Sequence, residues 1–171
     1  LVLAGETLTG VDPALLRQAM QVGVRQMGLD CLPWTRELRD WQARVLALRC
    51  WFPEEGWPEV AENWLTEHLD QWLEPWLNGL TRREHLSRLD LAAALTGLLD
   101  QRLRTQLNEL APTHLTVPSG SRIRLQYPPG EPPVLAVKLQ ELFGLADTPR
   151  IAGGRVAVTL HLLSPAQRPI Q

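Results

Sequence analysis

Apolar residues recur every three to four positions through the first 111 residues and every second position after them. The chain is therefore expected to be helical first and β-structured second. Asp12-Pro13 sets an N-cap residue before a proline at the first helical position, and Leu16, Met20 and Met27 follow at helical spacing up to Gly28. After Thr35, the residues Leu38, Trp41, Val45, Leu48 and Phe52 form one stripe that Pro53 stops. A third helical stretch carries Val60, Trp64, Leu65, Leu69, Trp72, Trp76 and Leu77, and Pro75 should kink or split it by removing an amide donor. Thr81 and Glu84 read as a capping box for a helix through Leu86, Leu89 and Leu95. A last helix is expected from Asp100 through Leu103, Leu107 and Leu110, ending at Pro112.

Beyond Pro112 the alternation of Leu115-Thr116-Val117 and of Arg122 to Tyr127 predicts two antiparallel strands joined by Ser119-Gly120-Ser121. Pro128-Pro129-Gly130-Glu131-Pro132-Pro133 is a stiff loop, since its prolines lack the amides a helix or central strand needs. Val134 to Leu139 reads as a third strand, running into a short helix at Gln140 to Phe143 with Gly144 at its end. Gly153-Gly154 turns the chain before Val156, Val158, Leu160 and Leu162. The expected fold class is α+β, a multi-helix lobe over residues 1–111 followed by a small antiparallel β lobe over 112–171.

Charge follows the same division. The helical part sums to −5 and the β part to +3, within a chain of 171 residues and net charge −2. The acidic half and the basic half suit different partners. With 44% hydrophobic and 21% charged residues the composition is that of a globular protein. No apolar run reaches the roughly 20 residues needed to span a bilayer, so no membrane partner and a cytoplasmic location are expected. Cys31 and Cys50, without CxxC spacing, are expected to be reduced thiols. The opening Leu1-Val2-Leu3-Ala4-Gly5-Glu6, with no Met, reads as a boundary inside a longer protein.

Catalytic patterns are missing. A phosphate-binding loop needs Gly-x-x-x-x-Gly-Lys-Ser/Thr, and the only lysine, Lys138, lies between Val137 and Leu139. His68, His85, His114 and His161 are far apart in sequence, and no metal-ligand spacing joins them. Of the seven tryptophans, Trp41, Trp72 and Trp76 fall on apolar stripes and are expected in the core. Trp34 and Trp57, each beside a proline, are the expected surface aromatics.

The alternation in the β half carries the functional argument. With Leu115, Val117, Ile123, Leu125, Tyr127, Leu135, Val137, Val156, Val158 and Leu160 facing inward, His114, Arg122, Arg124, Lys138, Arg155 and His161 face outward. Ser119 and Ser121 add hydroxyls and free backbone amides at the turn, donors suited to phosphate. The candidate nucleic-acid contacts are thus Arg122, Arg124, Lys138, His114, Ser119 and Ser121. An ordinary polar face of a half-buried sheet has the same pattern, and Tyr127 on the inward set argues against base stacking of the oligonucleotide-barrel type.

The run Leu110-Ala111-Pro112-Thr113-His114-Leu115-Thr116-Val117-Pro118-Ser119-Gly120-Ser121-Arg122-Ile123-Arg124-Leu125 resembles the C-terminal region of HrpB-type bacterial ATP-dependent RNA helicases of the DEAH-box class. Leu32-Pro33-Trp34, Leu89 to Leu95, Val137 to Leu145, Pro149 to Val156 and Leu162 to Pro169 are similar to that family in the same order. The resemblance implies a longer parent with two motor lobes that bind ATP and magnesium, whose motor motifs all precede Leu1 and whose pattern continues past Gln171. It carries no catalytic residue or cofactor onto this chain. Two functions follow as expectations: an accessory module contacting RNA phosphates through the β lobe while packing on the helicase motor domains, or a protein-interaction or regulatory scaffold without nucleic-acid contact. An independent enzyme is not expected.

Overall fold

The computed structural model describes residues 12–80 and 82–164. Its helices are α1 (Pro13–Met27), α2 (Arg36–Trp51), α3 (Glu62–Glu67), α4 (Leu69–Trp72), α5 (Leu91–Thr96) and α6 (Gln101–Leu110), and its strands are β1 (His114–Thr116), β2 (Arg122–Gln126), β3 (Val134–Lys138), β4 (Arg150–Ile151), β5 (Val156–Ala157) and β6 (Thr159–Leu163). Helix gives way to strand at Pro112, as the change of period predicts. The chain forms two compact units. One comprises the described residues up to Arg39 with Pro58–Asp100, the other Asp40–Trp57 with those from Gln101 onward.

In the first unit the Asp12 carboxylate accepts from the Ala14 amide at 3.0 Å, opening α1, and the Gly28 amide closes it on the Val24 carbonyl. The long stretch expected over Val60 to Leu77 is broken twice. His68 leaves helical geometry between α3 and α4, and a 3-10 turn over Glu74–Leu77 contains Pro75. That second break rotates the pattern: Leu73 and Leu77 are buried while Trp76, on the stripe by α-helical counting, is 41% exposed. Trp72 keeps its expected core position, its indole N–H donating to the Leu65 carbonyl at 2.9 Å. Trp34 is half-buried, with the Arg39 guanidinium 3.8 Å over its ring. The Asp90 carboxylate caps α5 at the Ala93 amide, preceded by a 3-10 turn over Arg83–Arg88. Thr81 of the expected capping box lies outside the described residues.

In the second unit, α6 ends on a buried cation. Arg44 Nε donates to the Ala111 carbonyl at 2.6 Å, and its Nη2 donates to Leu107 O at 3.3 Å and to Asn108 Oδ1 at 2.9 Å. Of these acceptors the Ala111 carbonyl is one that a helix C-terminus leaves unpaired, whereas Leu107 O also accepts from the Ala111 amide. Trp41 is buried on α2, as expected, but so is Trp57, at 2% exposure. Its neighbouring proline marks a loop correctly, yet Arg49 Nη1 holds the Trp57 carbonyl at 2.7 Å and draws the loop back.

The main sheet has the order β1-β2-β3-β6, with a separate β4-β5 pair. β1–β2 and β2–β3 are antiparallel, whereas β3–β6 is parallel, Leu135 standing opposite Leu160. The run from Val156 to Leu162 is thus divided between two sheets. The Val158 amide donates to the Pro149 carbonyl and the next amide, of Thr159, to the Pro133 carbonyl. Every residue expected to face inward lies in one apolar cluster, together with Ile151, Ala152, Leu142, Trp51 and Phe52. At Pro118-Ser119-Gly120 the Gly120 amide closes on the Val117 carbonyl, and Gly120 takes φ +93°, a conformation that favours glycine.

Candidate nucleic-acid interface

The candidate residues stand on the face of the main sheet opposite the apolar cluster. Register pairs His114 with Arg124 and Thr116 with Arg122. Because Leu125 opposes Leu135, alternation puts Lys138 on the Arg122 and Arg124 side, and His161 of β6 opposes Ala136 on that same side. The structure therefore gathers His114, Arg122, Arg124, Lys138 and His161 onto one surface. Arg155 does not join them. It belongs to the turn between β4 and β5, stacks 4.3 Å over Phe52 and donates to the Trp51 carbonyl at 2.9 Å.

The members of the face differ in what else they hold. Arg124 is ion-paired with Asp40 of α2, and charge matched by a carboxylate is less free for phosphate. Arg122 is exposed and Lys138 half-exposed, and among the described residues neither side chain enters a hydrogen bond or ion pair. One ring nitrogen of His114, Nδ1, lies 2.9 Å from the Thr113 hydroxyl.

At the turn the expected free amides are engaged. The Ser119 amide donates to the Glu141 carbonyl, the Gly120 amide to Val117 O, and the Ser121 amide to Ser119 Oγ at 3.4 Å. Closing a three-residue hairpin loop uses the very donors that an anion would need. The Ser121 hydroxyl donates to the Glu141 carboxylate at 2.8 Å, which sets a negative charge beside the turn. Local sequence contains no sign of Glu141 or Asp40, because both reach the face from elements distant in the chain.

Beneath the sheet, the Tyr127 hydroxyl donates to the Pro112 carbonyl. Burial pushes its phenol well above the ordinary value, while the nearby Arg44 charge pulls the other way. Burial also lowers the Arg44 guanidinium. Tyr127 is thus an anchor of the sheet and offers no ring to a ligand on the polar face.

The family described as ATP-dependent helicase C-terminal matches residues 72–171. The chain belongs to that family. Its resemblance to the C-terminal region of HrpB-type helicases is supported by 46% identity, over 91% of this chain, to the ATP-dependent RNA helicase HrpB of Escherichia coli (strain K12). The chain spans 19% of that relative's length. Among solved structures, the crystal structure of E. coli DExH-box NTPase HrpB superposes with a TM-score of 0.86 at 44% identity, over 96% of this chain and 20% of that one. The crystal structure of Escherichia coli DEAH/RHA helicase HrpB gives 0.82 at 42% identity, over 97% and 21%. These likenesses bear out the α+β class of the family member described above.

Proposed function

We propose that this chain is an accessory module of an ATP-dependent RNA helicase that holds RNA by its phosphates through the polar face of the main sheet. The observation that carries the reading is the pair Arg122 and Lys138, cations whose side chains have no partner among the described residues, on one face that also bears His114 and His161. Contacts of this kind position a strand without reading its sequence. The relative named an ATP-dependent RNA helicase gives the nucleic acid its identity in this reading.

ATP and magnesium belong, on the same reading, to motor lobes of a longer parent. The residues of this chain do not fit a nucleotide: its lone lysine stands on β3 rather than at the end of a glycine-rich loop. The helical unit is the surface that packs on those lobes. Leu15 and Val22, seven residues apart on α1, are exposed together with Met27 and Trp76. That exposed apolar surface also favours the second reading, a scaffold that docks on protein alone.

Titration with single-stranded RNA at several salt concentrations separates the two readings. Each phosphate contact adds about 0.7 to the slope of log affinity against log salt for a single strand. Arg122→Ala with Lys138→Ala is expected to weaken binding and to flatten that slope by about 1.4. No binding at low salt, or an unchanged slope in the double variant, leaves the scaffold.

A further inference from the structure

Next to the two free cations lies an exposed apolar pair that the phosphate reading does not use. The hairpin turn Pro118-Ser119-Gly120 and the 3-10 turn Leu139–Leu142 are held side by side, by the Ser119 amide on the Glu141 carbonyl at 3.3 Å and the Ser121 hydroxyl on the Glu141 carboxylate at 2.8 Å. A Cβ on Gly144 would stand 3.8 Å from the Pro118 Cβ, so the segment after the 3-10 turn lies against the hairpin as well. Phe143 is 70% exposed there and Leu139 53%. Burying a phenylalanine side chain is worth about 1.5–3 kcal/mol, so an aromatic ring left this open is unusual. Lys138 directly precedes Leu139, and Arg122 directly follows Ser121, which is tied to Glu141. Arg122, at the start of β2, and Lys138, at the end of β3, therefore stand at the end of the sheet where the apolar pair lies.

An open aromatic ring near two cations matches the chemistry of a single nucleic-acid strand, whose unpaired bases stack on the ring while its phosphates meet those charges and the Glu141 carboxylate stays held by the Ser121 hydroxyl. A duplex keeps its base faces occupied and gains only the charges. A protein partner fits less well, because a specific interface takes about 20–30 residues a side, whereas here two apolar side chains are exposed. Resting on the phosphate-binding reading of the same face, we propose that Phe143 is its stacking platform: it seats one unpaired base of single-stranded RNA beside Leu139, with Arg122 and Lys138 on the flanking phosphates.

The test compares the chain with Phe143→Ala and Phe143→Tyr, using a labelled single-stranded RNA and a strand of equal phosphate number whose bases have been removed. Stacking of one base predicts a loss of about 5- to 150-fold in Phe143→Ala, with affinity kept in Phe143→Tyr. The base-free strand should bind the unaltered chain about as weakly as ordinary RNA binds Phe143→Ala. Equal affinity of the unaltered chain for both strands, or of Phe143→Ala and the unaltered chain for RNA, overturns the platform and leaves the phosphate contacts standing. Absence of RNA binding by the unaltered chain at low salt overturns both, and Phe143 and Leu139 then pass to a protein partner.

Discussion

Asp40 on α2 pairs with Arg124 on β2, 84 residues apart in sequence, and so ties up a cation of the candidate face. The two arginines of β2 are therefore unequal in spite of sharing a face. Arg124→Ala should change RNA affinity little, while Arg122→Ala weakens it. Asp40→Asn should do the reverse of a loss: it frees Arg124, tightens binding and steepens the salt slope by up to about 0.7. Salt titrations of the three variants check this, and a weaker-binding Asp40→Asn chain would count against phosphate contact at this face.

Arg44 contributes to stability with no acidic partner among the described residues, through the carbonyls at the end of α6. Hydrogen bonds to a charged group contribute about 1.5–3 kcal/mol each, and stranding buried acceptors adds a desolvation cost. Arg44→Ala is expected to lose about 3 kcal/mol or more in a urea melt. Since Arg44 lies under the sheet with Tyr127 and not on its polar face, RNA affinity of the chain that remains folded should be unchanged.

Tyr127 is the only tyrosine, which makes alkaline titration readable. Its phenol has a folded value raised by burial above the ordinary 10.0. A raised value means that the folded state holds the proton longer than the unfolded state does. This stabilisation is complete below about pH 10. It is lost as pH climbs from there toward the folded value. Tyrosinate absorbance should therefore emerge together with unfolding, and Tyr127→Phe should remove that part of the alkaline loss. Normal titration of a chain still folded would contradict the buried phenol.

The two tryptophans whose environments depart from their sequence pattern should separate cleanly in denaturant melts. Trp57→Ala empties a buried site and is expected to cost about 3–5 kcal/mol. Trp76→Ala should cost less than about 1 kcal/mol, as is usual for an exposed position.

The faces of the strands were legible because alternation is a local property: once Leu115, Ile123, Leu125, Leu135 and Val137 are set inward, the side of every neighbour follows. Strand pairing is not local, and the parallel match of Leu135 with Leu160 leaves no mark on either segment. Trp76 departs from its stripe because α-helical spacing does not continue past Pro75 into a 3-10 turn, whose residues advance by a different angle. Trp57 shows that a proline neighbour reports backbone shape and not exposure. At the candidate face the cations could be read from the sequence, but the carboxylates of Asp40 and Glu141 that modify them could not, since each arrives from a distant segment. Phe143, expected within a short helix, stands just past the 3-10 turn, and its openness depends on tertiary packing that the local pattern does not carry.

The parallel pairing of β3 with β6 also sets an order on assembly during synthesis. β1, β2 and β3 emerge as a simple meander, but one edge of β3, including Leu135 and Val137, stays bare until the 3-10 turn and the β4–β5 pair have followed it. Closing such a long connection is slow compared with hairpin closure, and an uncovered apolar strand is open to pairing with another chain meanwhile. The nascent sheet is thus most exposed to misassembly in the interval between the appearance of Lys138 and that of Thr159, when the ribosome has delivered the strand but not its partner.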